Sequence, residues 1–212
     1  MSGGDAPRRA LAAFAISALR ASELREAAAL LGRAFRDNAM NRVVAPGSAR
    51  RRESSNVAGM RAVLPLAHAR AAVVAARSEG RLAGVRIALP PGAVTLGRPG
   101  WLALASMLLA QGPGVAARWS AVAEALQLHR PLAPHAYLAT LGVEPALQRA
   151  GVGRALVGDW LASVDAQRQR AYLETDSTMN VTWYERFGFA VRAELTVLGV
   201  TVYLMERGER DA

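Results

Sequence analysis

The chain has 212 residues, 52% of them hydrophobic, which suffices for one sizeable core or at most two small ones; a single domain is the simpler organisation. Its formal charge is +9, and it contains no cysteine, which excludes a disulfide framework, a thiol nucleophile and a thiolate metal site. Three histidines, His68, His129 and His135, form no His-x-x-x-His pair, so no metal is expected.

Residues 1–12 are small, polar and charged without a period and read as a flexible arm. They lack the basic, then apolar, then small order of a signal peptide, which makes a cytoplasmic location the expectation. Apolar alternation predicts a short strand over 14–19. Ser22 is placed to cap a helix running to about residue 35, with Leu24, Leu30 and Leu31 inward. After Asp37, Asn38 and Asn41 and a Pro46-Gly47 turn, a second helix is expected over about 48–66, with Val57, Met60 and Leu64 along one side. Its first turn holds Arg50, Arg51 and Arg52, which read as a solvated face rather than a polyanion site. Residues 72–76 and 82–89 then make a hairpin, ended by Pro90-Pro91-Gly92.

Residues 92–134 form an insertion. The stretch 101–110 is apolar on every side but far shorter than the roughly 20 residues that a membrane span requires, so a buried helix is expected. A second helix over about 115–128 carries Trp119, Val122 and Leu126 on one stripe. The pair either caps a sheet or supplies, through Trp101, Met107 and Trp119, the apolar wall of a ligand pocket.

A strand over 136–143 leads into Gln148-Arg149-Ala150-Gly151-Val152-Gly153-Arg154 and then into helical apolar spacing. Gly151 and Gly153 permit a tight turn and close approach of a ligand, and the unpaired N–H groups of the helix start favour an anion such as a pyrophosphate. The alternative use of the two glycines is a tightly packed strand-to-helix turn. A dinucleotide fingerprint is excluded, because its third glycine falls at Leu156, and no Gly-Lys-Ser/Thr of a Walker loop occurs. A strand over 171–175 follows, then a helix bearing Tyr184, capped by Ser177 or Thr178 and ended by Gly188 in a left-handed conformation. Residues 190–197 and 200–205 pair as a hairpin about Leu198-Gly199, and 208–212 form a frayed tail.

Taken together, Leu141-Gly142-Val143, Gln148-x-x-Gly151-x-Gly153, Tyr172-Leu173-Glu174-Thr175 and Asn180-x-x-x-Tyr184-Glu185-Arg186-x-Gly188-Phe189 resemble the GCN5-related N-acetyltransferases. Within them the array looks most like the puromycin N-acetyltransferase type. The resemblance is specific over 135–206 and weak before it. It departs from the commonest loop, which has a glycine directly after the glutamine, where this chain has Arg149. The resemblance implies an α+β, three-layer fold: a central mixed, mostly antiparallel twisted sheet flanked by helices, with a helical insertion between strands 3 and 4. One domain over 13–207 then holds an acetyl-CoA-binding core at 135–189. Leu141, Gly142 and Val143 would offer backbone groups to the pantetheine arm. Gln148, Arg149, Ala150, Gly151, Val152, Gly153 and Arg154 would hold the pyrophosphate, and Asn180 would touch the cofactor arm. Tyr184 would protonate the leaving thiolate, a role that suits a phenol with an ordinary pKa of about 10.

Direct attack in a ternary complex suits a chain with no cysteine to carry an acyl group. Glu174 is the first choice of base, acting through water, with His135 and Asp37 behind it. Glu174 read instead as a buried carboxylate held by hydrogen bonds, or an amine arriving partly neutral with no dedicated base, are the alternatives. Phe35, Asp37, Asn38 and His135 are candidate acceptor-binding residues. The expected partner is a small-molecule amine, such as an antibiotic or another amine metabolite, with acetyl-CoA as donor and the chain a monomer or homodimer. All 26 basic residues are arginine, a bias that reduces the weight of any single one as a chosen contact. Their field would attract a CoA nucleotide, nucleic acid or an anionic membrane alike, but no strand interleaves aromatic and basic residues and no helix-turn-helix signature occurs, so nucleic acid is not expected; nor, with 101–110 too short to span, is a membrane. A protein or peptide N-acetyltransferase, a non-catalytic acetyl-CoA-binding protein and a basic nucleic-acid-binding module are the other readings.

Overall fold

In the computed structural model, which describes residues 14–70, 72–93 and 100–209, the short apolar runs become the strands of one seven-stranded sheet. In chain order the elements are β1 (Ala15–Ala18), α1 (Leu24–Ala34), α2 (Ala39–Val44), α3 (Ala49–Ala69), β2 (Val73–Ser78), β3 (Arg81–Leu89), α4 (Trp101–Gln111) and α5 (Pro113–His129). They continue as β4 (Ala136–Val143), α6 (Val152–Ala166), β5 (Ala171–Thr175), α7 (Thr178–Glu185), β6 (Ala190–Val197) and β7 (Val200–Arg207). The arm expected at 1–12 and the last three residues of the expected tail lie outside the described residues.

The strands are ordered β1-β2-β3-β4-β5-β7-β6. Every neighbouring pair is antiparallel except β4 and β5, which the α6 crossover makes parallel. This is the mixed, mostly antiparallel sheet between helices that the sequence implies, with α4 and α5 inserted between the third and fourth strands. Alternation of side chains sorts the core onto two faces. Tyr137, Tyr172, Val202 and Leu204 pack with α1, α3 and α5, whereas Leu138, Leu173 and Met205 pack with α6 and α7.

β4 and β5 pair only from Ala136 to Leu138, opposite Ala171 to Leu173. Beyond that point β4 stays on β3 as far as Val143, while β5 stays on β7 through Glu174 and Thr175. The separation coincides with a bulge: Ala88 faces Leu138 and Ile87 faces Thr140, so Ala139 is unmatched. An extra residue bends the strand that carries it and increases its twist, which turns the end of β4 away from β5.

Three expectations are corrected. Ser22 does not cap α1; it lies in a 3-10 turn, Ala21–Glu23, that is closed by the Glu23 carboxylate accepting the Arg20 N–H at 2.8 Å. No element was expected between Asp37 and the Pro46-Gly47 turn; that stretch contains α2, with Asn38 as the extended residue before it. α4 is not buried: Trp101 is 77% and Leu109 88% exposed. Among the described residues that helix packs mainly on α3 and α5, with Gln111 Nε2 donating to Ser55 O at 2.7 Å. Apolar residues on all sides do not secure burial for a helix that meets neighbours on one side only.

Gly84 of β3 seats α6 on the sheet. A Cβ there would stand 2.8 Å from Val152 Cγ1 and 3.1 Å from Gly142 O, and neither a β-branched side chain nor a strand carbonyl yields readily. Gly84→Ala is expected to lower the free energy of unfolding by about 1–3 kcal/mol in a urea titration. An unchanged midpoint would contradict this seating of α6.

Candidate active site

α6 begins at Gly151, which takes a φ of +95° and has no side chain to cap the helix. The first hydrogen bond of the turn runs from Ala155 N–H to Gly151 O. The N–H groups of Val152, Gly153 and Arg154 are therefore left without intrahelical acceptors at the positive end of a 15-residue helix. Such a cluster of donors favours an anion. Arg149, at the position where the resemblance expects glycine, adopts a φ of +66°, a conformation that costs a side-chain-bearing residue roughly 1–2 kcal/mol. The loop thus keeps the shape that glycine would allow. Gln148, Arg149, Ala150 and Arg154 are exposed around it. Glu144, just upstream, is paired with Arg33, whose Nε and Nη2 donate to it at 3.1 and 2.6 Å, so its charge does not oppose an anion at the loop.

The open edge of β4 supplies a second element. Glu144 N–H bonds to Ala83 O on the β3 side at 2.9 Å, and backbone direction alternates along an antiparallel strand. Leu141 and Val143 therefore turn their N–H and C=O groups into the gap, where β5 is no longer paired with them. An extended chain carrying amides can add there as a strand would. The free helix start and this edge together fit acetyl-CoA, whose diphosphate and pantetheine arm need those two kinds of partner.

Where the strands part lies a cavity of about 220 Å³. Trp119, Val122 and Leu126 of α5 line it from one face of the sheet, Asn180 and Tyr184 of α7 from the other, and Thr140 and Leu141 of β4 lie between. A continuous sheet would keep these groups apart. Tyr184 is 7% exposed and packs edge-on against Trp183 and Phe189, with ring centroids 4.8 and 5.8 Å away. Burial pushes its phenol well above the ordinary value, so the hydroxyl holds its proton at neutral pH. Ser177 caps α7 by accepting the Asn180 N–H at 3.4 Å, and Asn180 Nδ2 donates to Thr175 Oγ1 at 3.2 Å.

Glu174 lines the cavity with both oxygens engaged. Arg130 Nε donates to Oε1 at 3.2 Å and the Tyr137 hydroxyl to Oε2 at 2.6 Å. Arg130 Nη2 also donates to the Tyr137 hydroxyl at 2.7 Å, and its guanidinium stacks 4.0 Å above that ring. Burial, then the charge of Glu174, drives the Tyr137 phenol well up. This is the geometry of a carboxylate held by hydrogen bonds.

Of the other sequence-selected residues, Phe35 and Asn38 line the cavity, and Asp37 and His135 do not. The Asp37 carboxyl is held below its usual range by Arg52 at 2.8 Å and Arg36 at 2.9 Å. Arg52, the third residue of the arginine run, also donates to Arg36 O and Gly47 O, so it closes the turn before α3. His135 sits edge-on to Tyr172 at 5.3 Å with Nδ1 2.8 Å from Ala133 O. Trp119 walls the cavity, but Trp101 and Met107 do not reach it. Missed by the sequence reading were Asp176, Tyr137, Met40 and Asn41, which also line it. The one signal for Asp176 was its place directly after the strand that carries Glu174. Among the described residues no group of His, Asp and Glu is arranged to hold a metal ion, and no helix is long and apolar enough to cross a membrane.

The profile of the acetyltransferase (GNAT) domain matches residues 69–191, more than half of the chain. A solved structure from Corynebacterium glutamicum, described as histone acetyltransferase HPA2 and related acetyltransferase, superposes with a TM-score of 0.65 at 18% identity, covering 94% of this chain and 98% of that one. The PaiA N-acetyltransferase of Thermoplasma acidophilum, in complex with coenzyme A, gives 0.59 at 12% identity over 92% and 98% of the two chains. Mosquito arylalkylamine N-acetyltransferase like 5b gives 0.59 at 16% identity over 92% and 99%. At such identities the likeness is one of fold.

Glu174→Ala removes the carboxylate that faces Arg130 and Tyr137. It is expected to cost about 2–4 kcal/mol of stability by chemical denaturation. A loss below about 0.5 kcal/mol would show that the Arg130–Glu174–Tyr137 cluster does not hold the cavity wall.

Proposed function

Because this chain belongs to the acetyltransferase (GNAT) family of acetyl-CoA-dependent enzymes, we propose that it acetylates the amine of a small molecule by direct attack in a ternary complex, in the manner of the puromycin N-acetyltransferase type. The observation that carries the reading is the single cavity in which Tyr184, from one face of the sheet, meets the α5 wall on the other. A wall laid over the cavity by the insertion favours a compact acceptor over a protein segment.

Acetyl-CoA supplies the acyl group as an activated thioester. The amides of Gly151, Val152, Gly153 and Arg154 hold its diphosphate, with Gln148, Arg149 and Ala150 shaping the turn. The gap-facing groups of Leu141 and Val143 hold the arm, with Gly142 between them against β3, and Asn180 flanks the arm from α7. A backbone N–H around Val143 polarises the thioester oxygen. The Tyr184 hydroxyl gives its proton to the sulfur as the thiolate departs. With Glu174 engaged by Arg130 and Tyr137, the amine attacks in its neutral form, having given one proton to water, and the nitrogen loses its second proton to water as the amide forms. Holding both reactants in one cavity contributes up to about 7–11 kcal/mol of the acceleration.

The test is thermal shift and thiol release with acetyl-CoA against a panel of amines, puromycin included. Acetyl-CoA is expected to raise the melting temperature. Tyr184→Phe is expected to lower kcat about 10²–10³-fold while leaving acetyl-CoA affinity unchanged. The pH profile follows from the raised phenol: Tyr184 acts protonated and loses its proton only above its ordinary value of about 10, so activity should rise as the amine deprotonates and show no falling limb below about pH 10. Absence of any acetyl-CoA stabilisation, or a Tyr184→Phe enzyme at full rate, would overturn the proposal.

A further inference from the structure

We infer that the acceptor is a cationic amine that carries no acidic group, and that Asp176 is the residue that binds its nitrogen. The inference rests on the acetyl-transfer reading above and narrows the class of acceptor.

The chain holds 26 arginines and a formal charge of +9, yet among the described residues no arginine, lysine or histidine lines the cavity. The charged residues that do line it are two acids, Glu174 and Asp176. Glu174 is compensated by Arg130, and both of its oxygens are engaged. Asp176 differs. Its Oδ2 accepts the Met40 N–H at 2.8 Å, while Oδ1 has no hydrogen-bond partner and the carboxylate no ion pair among the described residues. The negative charge left over in the cavity is therefore that of Asp176.

The position of Asp176 suits this use. It follows β5 directly, where β4 has already turned away, and precedes the helix that carries Tyr184. The tether to Met40 on α2 fixes the carboxylate with one oxygen spare. An amine N–H or ammonium at that oxygen forms a charge-assisted hydrogen bond. An acceptor bearing a carboxylate or phosphate would have to bury that anion in a cavity that offers it no cation, which is strongly unfavourable. The remaining wall, from Phe35, Trp119, Val122 and Leu126, suits a hydrocarbon or aromatic body. The acceptor so described is a monoamine with an apolar substituent, rather than an amino acid, an acidic peptide or an aminated phosphate ester.

Matched acceptors test this: phenethylamine against phenylalanine, and tryptamine against tryptophan, each pair differing by one carboxylate, assayed by thiol release with the full-length enzyme. The amine of each pair is expected to have a kcat/KM at least about tenfold higher. Asp176→Asn keeps an oxygen for the Met40 N–H and removes the charge. It is expected to raise the KM of the amines at least about tenfold, to change kcat less, and to leave the stabilisation by acetyl-CoA as it is in the parent enzyme. Equal or better use of the amino acids, an unchanged KM in Asp176→Asn, or no turnover of either amine by an enzyme that acetyl-CoA still stabilises would overturn the inference alone. Loss of acetyl-CoA stabilisation in the parent enzyme would instead overturn the acetyl-transfer reading beneath it. Should Asp176→Asn melt before it can be assayed, the preference within the matched pairs decides by itself.

Discussion

The parting of two parallel strands after Leu138 is the constraint on which the rest of the site depends. Backbone N–H and C=O groups inside a protein need partners, and a sheet ordinarily supplies them on both sides of an inner strand. Here the bulge at Ala139 withdraws one partner from the last residues of β4 without withdrawing the other. The result is a sheet edge in the middle of a sheet. An exposed edge of that kind invites association with other chains; this one is walled by α5 on one face and α7 on the other. The same opening connects the two faces, which is why a phenol from one side and an apolar wall from the other border one space.

Charge in this molecule is arranged against its own average. Most of the arginines near the site are occupied in holding the fold: Arg33 with Glu144, Arg52 with Asp37, and Arg130 with Glu174. Arg86, buried in β3, donates to Leu156 O at 2.7 Å and lies 3.2 Å from Asp159, so it clamps α6 onto the sheet. The main-chain amides at the start of α6 remain as donors that are fixed in direction and need no side-chain ordering. The cavity itself ends up with an excess of negative charge. A positive net charge thus says little about which ligands the site selects, because the field at a cavity is set by the few groups that face it.

The parts of this design that local rules govern were legible in the sequence. Glycine punctuation located the loop before α6, alternation located the strands, the Trp119–Val122–Leu126 stripe located the helix that walls the cavity, and Leu198-Gly199 located the last hairpin. The parts that depend on what lies opposite were not. Asp37 and Asp176 are equivalent as letters in a sequence; one is tied to three arginines outside the cavity and the other lines it. Glu174 stood on the right strand, but the residues that engage it come from the end of α5 and the start of β4, which no periodicity brings together. α2 is too short for its spacing to stand out between Asn38 and Pro46. α4 misled because all-round hydrophobicity reports what a helix is able to bury and not what it meets.

The parted strands, the free start of α6 and the Tyr184 hydroxyl make one joint claim about where a bound cofactor runs, and a crystal structure of the enzyme with coenzyme A tests it most directly. The diphosphate is expected on the amides of 151–154, the arm along the open edge of β4, and the sulfur within hydrogen-bonding reach of Tyr184 Oη, about 3–3.5 Å. Coenzyme A bound elsewhere, or a sulfur that Tyr184 cannot reach, would contradict it.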